Sequence, residues 1–60
     1  MKIAIDAMGG DHSPGAQVEA TRQAALQWPD TQFVLVGPSA AIKPLFAGNI
    51  PANISFEDTS

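Results

Sequence analysis

The sequence predicts an α/β fold built on a parallel sheet, because three short runs of strand-like pattern, two apolar and one alternating, are interleaved with two stretches of helical spacing. The runs lie at residues 2–6, 32–36 and 54–57, and glycine- and proline-containing turns separate them from the helical stretches. The middle run contains FVLV, four apolar residues in succession, which is typical of a strand buried on both faces. The resulting order, β-α-β-α-β, predicts parallel strands joined by right-handed crossovers.

The first strand is predicted over Lys2–Asp6, and a helix begins shortly after it. Ser13 and Pro14 indicate the start of this helix, since serine caps helices and proline tolerates the first helical position. The helical spacing runs to Trp28, and Pro29 ends it because the residue before a proline is disfavoured in helical geometry. The residues expected on the inward side of this helix are Val18, Thr21, Ala25 and Trp28.

The rest of the chain continues with a strand, a helix and a strand. Gln32–Val36 is the second predicted strand, and Ile54–Glu57, where apolar and polar residues alternate, is the third. Helical spacing begins after Gly37, and Pro44 predicts a short or broken helix, because proline lacks the N–H that a helix interior needs. The residues expected on its inward side are Ile42, Leu45 and Phe46. The aromatic residues expected in the core are Trp28, Phe33, Phe46 and Phe56.

A strand order of 3-2-1 would place both helices on one face of the sheet. The opposite face would then be bare, and the first strand would form an open edge. A soluble monomer rarely leaves an apolar sheet face exposed. We therefore expect residues 1–60 to be the N-terminal βαβαβ segment of a larger α/β domain, or to need partner chains that complete the sheet.

The composition excludes several classes of function. The net charge is −3, and the three cations (Lys2, Arg22 and Lys43) are scattered, so a nucleic-acid partner is not expected. Without cysteine the chain offers no thiolate metal site, and a single histidine, His12, excludes a histidine-rich metal cluster from this chain alone. No targeting segment or membrane-length apolar run is present, so a cytoplasmic location is expected.

The segment Ala7–Ser13, after the first strand, is the candidate site, because ligands of open α/β sheets bind beyond the carboxyl ends of the strands. Gly9 and Gly10 would let backbone N–H groups approach an anion, and the following helix adds a favourable dipole. The loop matches neither G-x-G-x-x-G nor the P-loop pattern. A turn that merely needs glycine at positive φ explains the same residues equally well.

Asp6 and Asp11 are the candidate catalytic carboxylates. Asp11 either orients a catalytic partner from elsewhere in the protein or accepts backbone N–H bonds that hold the loop closed, and the second role is favoured. His12 is a candidate general base, although a lone loop histidine more often faces solvent or caps a helix.

The stretch IAIDAMGGDHSP, followed by a helix and then PDTQFVLVGPSAAI, resembles the N-terminus of the bacterial phosphate acyltransferases of phospholipid synthesis. The likeness is specific from Ile3 to Pro14, extends through Ile42 and is faint from Gly48 onward. It implies the start of a parallel, doubly wound three-layer sandwich, similar to isopropylmalate dehydrogenases and phosphotransacetylases. The members of this family are several times longer than 60 residues.

The resemblance also implies an activity and its partners. The enzyme would move a fatty acyl group from acyl carrier protein to inorganic phosphate, with no metal or organic cofactor. It would be a cytoplasmic homodimer that works close to the membrane and supplies a membrane glycerol-3-phosphate acyltransferase. Gly9 and Gly10, with His12 ranked last, would bind phosphate, and Asp11 and Asp6 would orient these groups or pair with cations. The alternative is a nucleotide- or phosphate-binding α/β domain without acyl transfer.

Overall fold

A computed structural model describes residues 1–59 and confirms the β-α-β-α-β order. The elements are β1 (Lys2–Asp6), α1 (Gly15–Gln27), β2 (Gln32–Gly37), α2 (Ser39–Ile42), a 3₁₀ helix (Lys43–Phe46) and β3 (Ile54–Asp58). The predicted strands agree with the observed ones to within one residue at each end. The pattern of apolar runs was therefore sufficient to find the sheet.

The sheet is parallel throughout and has the order β1-β2-β3. Leu35 at its centre is opposite Ile5 on β1 and Phe56 on β3, and these three side chains share one face. This face carries the core, in which Phe33 and Leu35 are buried against residues of both helices. Both helices thus cover the same face, as the 3-2-1 order predicts.

The inward side of α1 is formed by Val18, Thr21 and Ala25, as predicted, but the prediction for Trp28 is wrong. Trp28 is 54% exposed. Its N–H still donates to Ala24, yet its backbone turns out of the helix (φ −122°, ψ 75°). The cause is the following proline, which excludes helical geometry at this position and so rotates the indole away from the core.

The start of α1 also differs from the prediction. The helix begins at Gly15 with Pro14 in the cap position, and no side chain caps it. Ser13 is therefore not the cap residue, and its buried hydroxyl has no hydrogen-bond partner among residues 1–59. Pro14 itself has helical backbone angles (φ −87°, ψ −7°), as expected of a proline at the first helical position.

The second helical stretch is short and broken, as Pro44 predicted, since α2 gives way to a 3₁₀ helix with the proline in its first turn. Ile42 and Phe46 are buried, whereas Leu45 is 48% exposed and does not belong to the core. The tighter 3₁₀ turn changes the angular spacing of side chains, which moves Leu45 outward. Phe46 packs edge-on against Phe56, with ring centroids 5.9 Å apart.

The other face of the sheet carries Ala4, Val34 and Val36, and no element within residues 1–59 covers it. Polar residues surround this apolar strip, including Glu57 opposite Val36. Ile3, at the open β1 edge, is 38% exposed although it faces the helices. In the described part of the chain, no helix is long and apolar enough to cross a membrane.

Candidate functional site

The loop between β1 and α1 lies at the carboxyl end of the sheet, where the sequence predicted a site. Its first residue, Ala7, is fully buried and donates its N–H to the carbonyl oxygen of Val36, at 3.0 Å. The loop therefore leaves the sheet from a fixed point beside β2. In open α/β sheets this is the edge that binds ligands.

Asp6 turns the chain at the start of this loop. Its Oδ1 accepts the backbone N–H of Met8 at 3.0 Å, and its carbonyl oxygen accepts the N–H of Gly9 at 3.3 Å. A carboxylate that binds the amide two residues ahead forms an Asx turn, which fixes the local backbone. The structure thus engages Asp6 in holding the loop.

Gly9 and Gly10 have little free space beside them, and neither has the positive φ that the alternative interpretation supposed. A Cβ on Gly9 would lie 3.2 Å from Oδ2 of Asp6. A Cβ on Gly10 would lie 3.2 Å from the hydroxyl oxygen of Ser13. Both distances are shorter than ordinary van der Waals contact, so a Cβ at either position would require the Asp6 or Ser13 side chain to shift by a few tenths of an ångström.

Gln17 is a loop contact that the sequence reasoning missed. From the first turn of α1, its Nε2 donates to the carbonyl oxygen of Gly9 at 2.9 Å. The signal that could have found it is positional, since side chains in the first turn of a helix tilt back toward the preceding loop. A long side-chain amide at that point is well placed to reach a loop carbonyl.

The backbone N–H groups of Gly10, Asp11 and His12 have no hydrogen-bond partner within the part of the chain that the structure describes. They lie in the loop ahead of α1, separated from Gly15 by Ser13 and Pro14, and the first turn of the helix carries no acidic residue. Consecutive free amides beside a helix N-terminus attract anions, because the N–H groups and the helix dipole both present positive charge. The loop therefore has the donors that a phosphate would need.

Asp11 and His12 are exposed, and their side chains form no hydrogen bond or ion pair with residues 1–59. A hydrogen bond joins Asp6 and Gly9 within one turn, whereas neither of these residues forms a hydrogen bond with the Asp11 carboxylate. Asp11 is consequently open to a partner or ligand, and the loop-holding role that the sequence analysis favoured for it is performed by Asp6.

Asp58 binds the first residue of the neighbouring helix, α2, and this contact was also missed by the sequence analysis. Its Oδ1 accepts the N–H of Ser39 at 3.0 Å, and its Oδ2 accepts the Ser39 hydroxyl at 2.9 Å. These bonds stabilise the charged form, with the backbone bond the larger cause, and hold the pKa of Asp58 below its ordinary value. The signal was an acid at the end of β3, opposite a serine that starts a helix.

No group of three or more histidine, cysteine, aspartate or glutamate residues in the described segment could hold a metal ion. The one ion pair found there joins Arg22 to Glu19 on the surface of α1, at 2.6 Å. The candidate site consists of the backbone amides of the loop, Asp6, Asp11 and His12, with Gln17 in support.

Comparisons with known proteins match this chain to one protein family and to relatives that share one name. A family model described as "Fatty acid synthesis protein" matches residues 1–58. The chain is 51% identical over 51 residues to the phosphate acyltransferase of Halalkalibacterium halodurans, covering 85% of this chain and 15% of that protein. It is 49% identical over 47 residues to that of Azorhizobium caulinodans (78% and 13%) and 44% identical over 54 residues to that of Limosilactobacillus reuteri (90% and 16%). The chain therefore spans only a small part of the length of these relatives.

Proposed function

This chain belongs to the fatty acid synthesis protein family, and from that premise we propose that it forms part of a phosphate acyltransferase. The complete enzyme would transfer a fatty acyl group from acyl carrier protein to inorganic phosphate, giving acyl phosphate for phospholipid synthesis. The name of the relatives, phosphate acyltransferase, supports phosphate as the acceptor. The observation that carries the proposal is the run of amides from Gly10 to His12, in the loop ahead of α1, that have no hydrogen-bond partner within residues 1–59.

The reaction suits such a loop. A phosphate oxygen attacks the thioester carbonyl, a carbon–oxygen bond forms, and the carbon–sulfur bond breaks to release the carrier protein as its thiolate. Phosphate is itself the nucleophile, so no covalent enzyme intermediate is needed. The site has to hold a dianion in line with the thioester and stabilise the oxyanion that develops, and preorganised N–H donors serve both purposes.

The candidate residues take distinct roles in this proposal. Gly9 and Gly10 frame the phosphate position, Gly10 by its free N–H and Gly9 by leaving room beside it, and His12 adds its amide and imidazole at the end of the loop. Asp11, whose carboxylate is free of partners within residues 1–59, orients the amides or pairs with a cation from the rest of the protein. Asp6 contributes by fixing the turn.

We further propose that residues 1–60 are the N-terminal segment of a larger α/β domain. The chain covers 13–16% of the relatives compared above, and the strip of Ala4, Val34 and Val36 is uncovered. A further parallel strand beside β1 would place its right-handed crossover on that same face. Sedimentation equilibrium of the isolated 60-residue chain tests this proposal, and a compact folded monomer would contradict it.

The proposal extends to the partners that the resemblance implies: acyl carrier protein as donor, a second copy in a homodimer, and a membrane glycerol-3-phosphate acyltransferase that consumes the product. The enzyme would act in the cytoplasm, close to the membrane.

The decisive experiment incubates the full-length protein with acyl carrier protein thioester and phosphate and detects acyl phosphate by mass spectrometry. Asp11→Ala should abolish product formation without changing the thermal unfolding midpoint. Asp30→Ala, at an exposed aspartate in the turn between α1 and β2, is the matched control. Turnover close to that of the unsubstituted protein in Asp11→Ala would overturn the assignment of this residue.

The second candidate, a nucleotide- or phosphate-binding domain without acyl transfer, is supported by the same observation. The free amides at Gly10–His12 would bind the phosphate of a nucleotide as readily as inorganic phosphate. Nucleotide-dependent protection of the loop from hydrogen exchange, with no acyl phosphate formed, would favour this candidate.

A further inference from the structure

We infer that Gln17 is a positioning residue of the phosphate site, an inference that rests on the proposed function. Its Nε2 donates to the carbonyl oxygen of Gly9 at 2.9 Å and lies 3.5 Å from the point where a Gly10 side chain would begin. Gln17 therefore lies directly against the glycine pair, although it belongs to the helix.

The position of this bond gives it an effect on the free amides. The Gly9 carbonyl and the Gly10 N–H belong to the same peptide group, which is planar and trans, so the two point in opposite directions. When Gln17 holds the carbonyl, it also fixes the direction in which the Gly10 N–H points. Without the bond, that peptide group could rotate and withdraw the N–H from the anion.

The other side of the same segment is held by Asp6. Its carboxylate accepts the N–H of Met8, and its carbonyl oxygen accepts the N–H of Gly9. Gly9 is thus held through its N–H by Asp6 and through its carbonyl by Gln17. Because these bonds already order the loop, an anion that binds the amides after Gly9 pays little entropy for ordering it, and this favours a higher affinity.

A glutamine suits this role because it combines a donor with the absence of charge. A glutamate would turn an acceptor toward the Gly9 carbonyl and add a negative charge near the proposed phosphate. An apolar residue of similar length keeps the packing but loses the donor. The exchange Gln17→Met therefore isolates the hydrogen bond.

The test measures steady-state kinetics of acyl-phosphate formation by the full-length protein, with phosphate varied at saturating thioester. Gln17→Met should raise the KM for phosphate about twofold to tenfold, the loss typical of one hydrogen bond, and leave kcat within about twofold. The matched control is Gln23→Met on the exposed side of α1, where the amide bonds only Glu19. This control should leave both constants unchanged, and both variants should keep the unfolding midpoint.

An unchanged phosphate KM in Gln17→Met, a fall in kcat alone, or an equal rise in Gln23→Met would overturn the inference. If the unsubstituted protein forms no acyl phosphate, the proposed function fails. Phosphate-dependent protection of residues 7–14 from hydrogen exchange then decides about Gln17. Weaker protection in Gln17→Met than in Gln23→Met would support the positioning role, and equal or absent protection would overturn it.

Discussion

The side-chain amide of Asn53 donates a hydrogen bond to the carbonyl oxygen of Ala25 at 3.0 Å, across 28 positions of the chain. The same NH₂ group also reaches the carbonyl oxygens of Trp28 and Thr31, at 3.1 and 2.9 Å. Asn53 is 8% exposed, and its backbone carbonyl oxygen accepts the N–H of Phe33. One buried side chain thus joins the end of α1 and the turn that follows it to the start of β3.

We expect Asn53→Ala to lower the free energy of unfolding of the full-length protein by about 1–3 kcal/mol, because it leaves carbonyl groups at the end of α1 without a donor. Urea denaturation measures the change. Asn49→Ala is the matched control, since Asn49 is exposed and its side chain makes no hydrogen bond with residues 1–59. Equal effects of the two exchanges would contradict the role assigned to Asn53.

Asp58 gives a prediction about pH. The Ser39 N–H, and then the Ser39 hydroxyl, hold the pKa of Asp58 below its ordinary value of 3.8 in the folded protein. A pKa depressed by folding stabilises the protein above the unfolded value, and this contribution is lost as the pH falls through the folded pKa. The contribution should therefore be intact at neutral pH and disappear in the acid range, and Asp58→Asn should remove it.

The carboxyl ¹³C signal of Asp58 follows this titration directly. Ser39→Ala should move the pKa of Asp58 up toward 3.8, because it deletes one of the two bonds from Ser39 and keeps the backbone bond. A titration midpoint at or above 3.8 in the unsubstituted protein would show that Ser39 does not stabilise the carboxylate.

How much the sequence predicts depends on how local the cause is. The strands and the inward side of α1 were predictable because spacing alone determines which side chains face the core, as at Val18 and Ala25. Trp28 was mispredicted because the regular spacing ignores the effect of a following proline on its backbone. The Asn53 and Asp58 bonds were not predictable, since each joins residues 19 or more positions apart whose proximity exists only in the folded sheet.

The candidate site shows the same division. Its location followed from topology, because the loop after β1 has to lie at the carboxyl edge of a parallel sheet. The roles of the side chains within it did not, since Asp6 and Asp11 are both acids in one loop. Only the direction of each carboxylate distinguishes them: that of Asp6 accepts the Met8 N–H, and that of Asp11 bonds none of residues 1–59.

Asp6 can be tested by separating its charge from its acceptor oxygen. Asp6→Asn keeps an oxygen that accepts the Met8 N–H, so we expect the KM for phosphate to stay within about twofold of that of the unsubstituted protein. Asp6→Ala removes the acceptor and should raise this KM about twofold to tenfold, the loss typical of one hydrogen bond. If Asn is as damaging as Ala, the charge of Asp6 acts in the reaction and the turn is not its main role.

Gly37 provides a prediction about packing beneath the site. A Cβ at this buried position would lie 2.8 Å from Cδ1 of Ile42 and 3.4 Å from Cβ of Ala7. Ile42 and Ala7 are both fully buried, so neither can move aside into solvent. Gly37→Ala should therefore cost about 1–3 kcal/mol of unfolding free energy, as overpacking of a core does.

Removing Cδ1 of Ile42 tests whether its contact with the new methyl group causes the loss of stability. Ile42→Val deletes Cδ1 and alone should cost about 0.5–1.5 kcal/mol. The double variant should lose less than the sum of the single losses, because the valine leaves room for the new methyl group. Gly15→Ala is the control, since nothing lies within 4 Å of its Cβ position, and it should change stability by less than about 1 kcal/mol. Additive losses for Gly37 and Ile42 in urea denaturation would mean that another contact makes this glycine necessary.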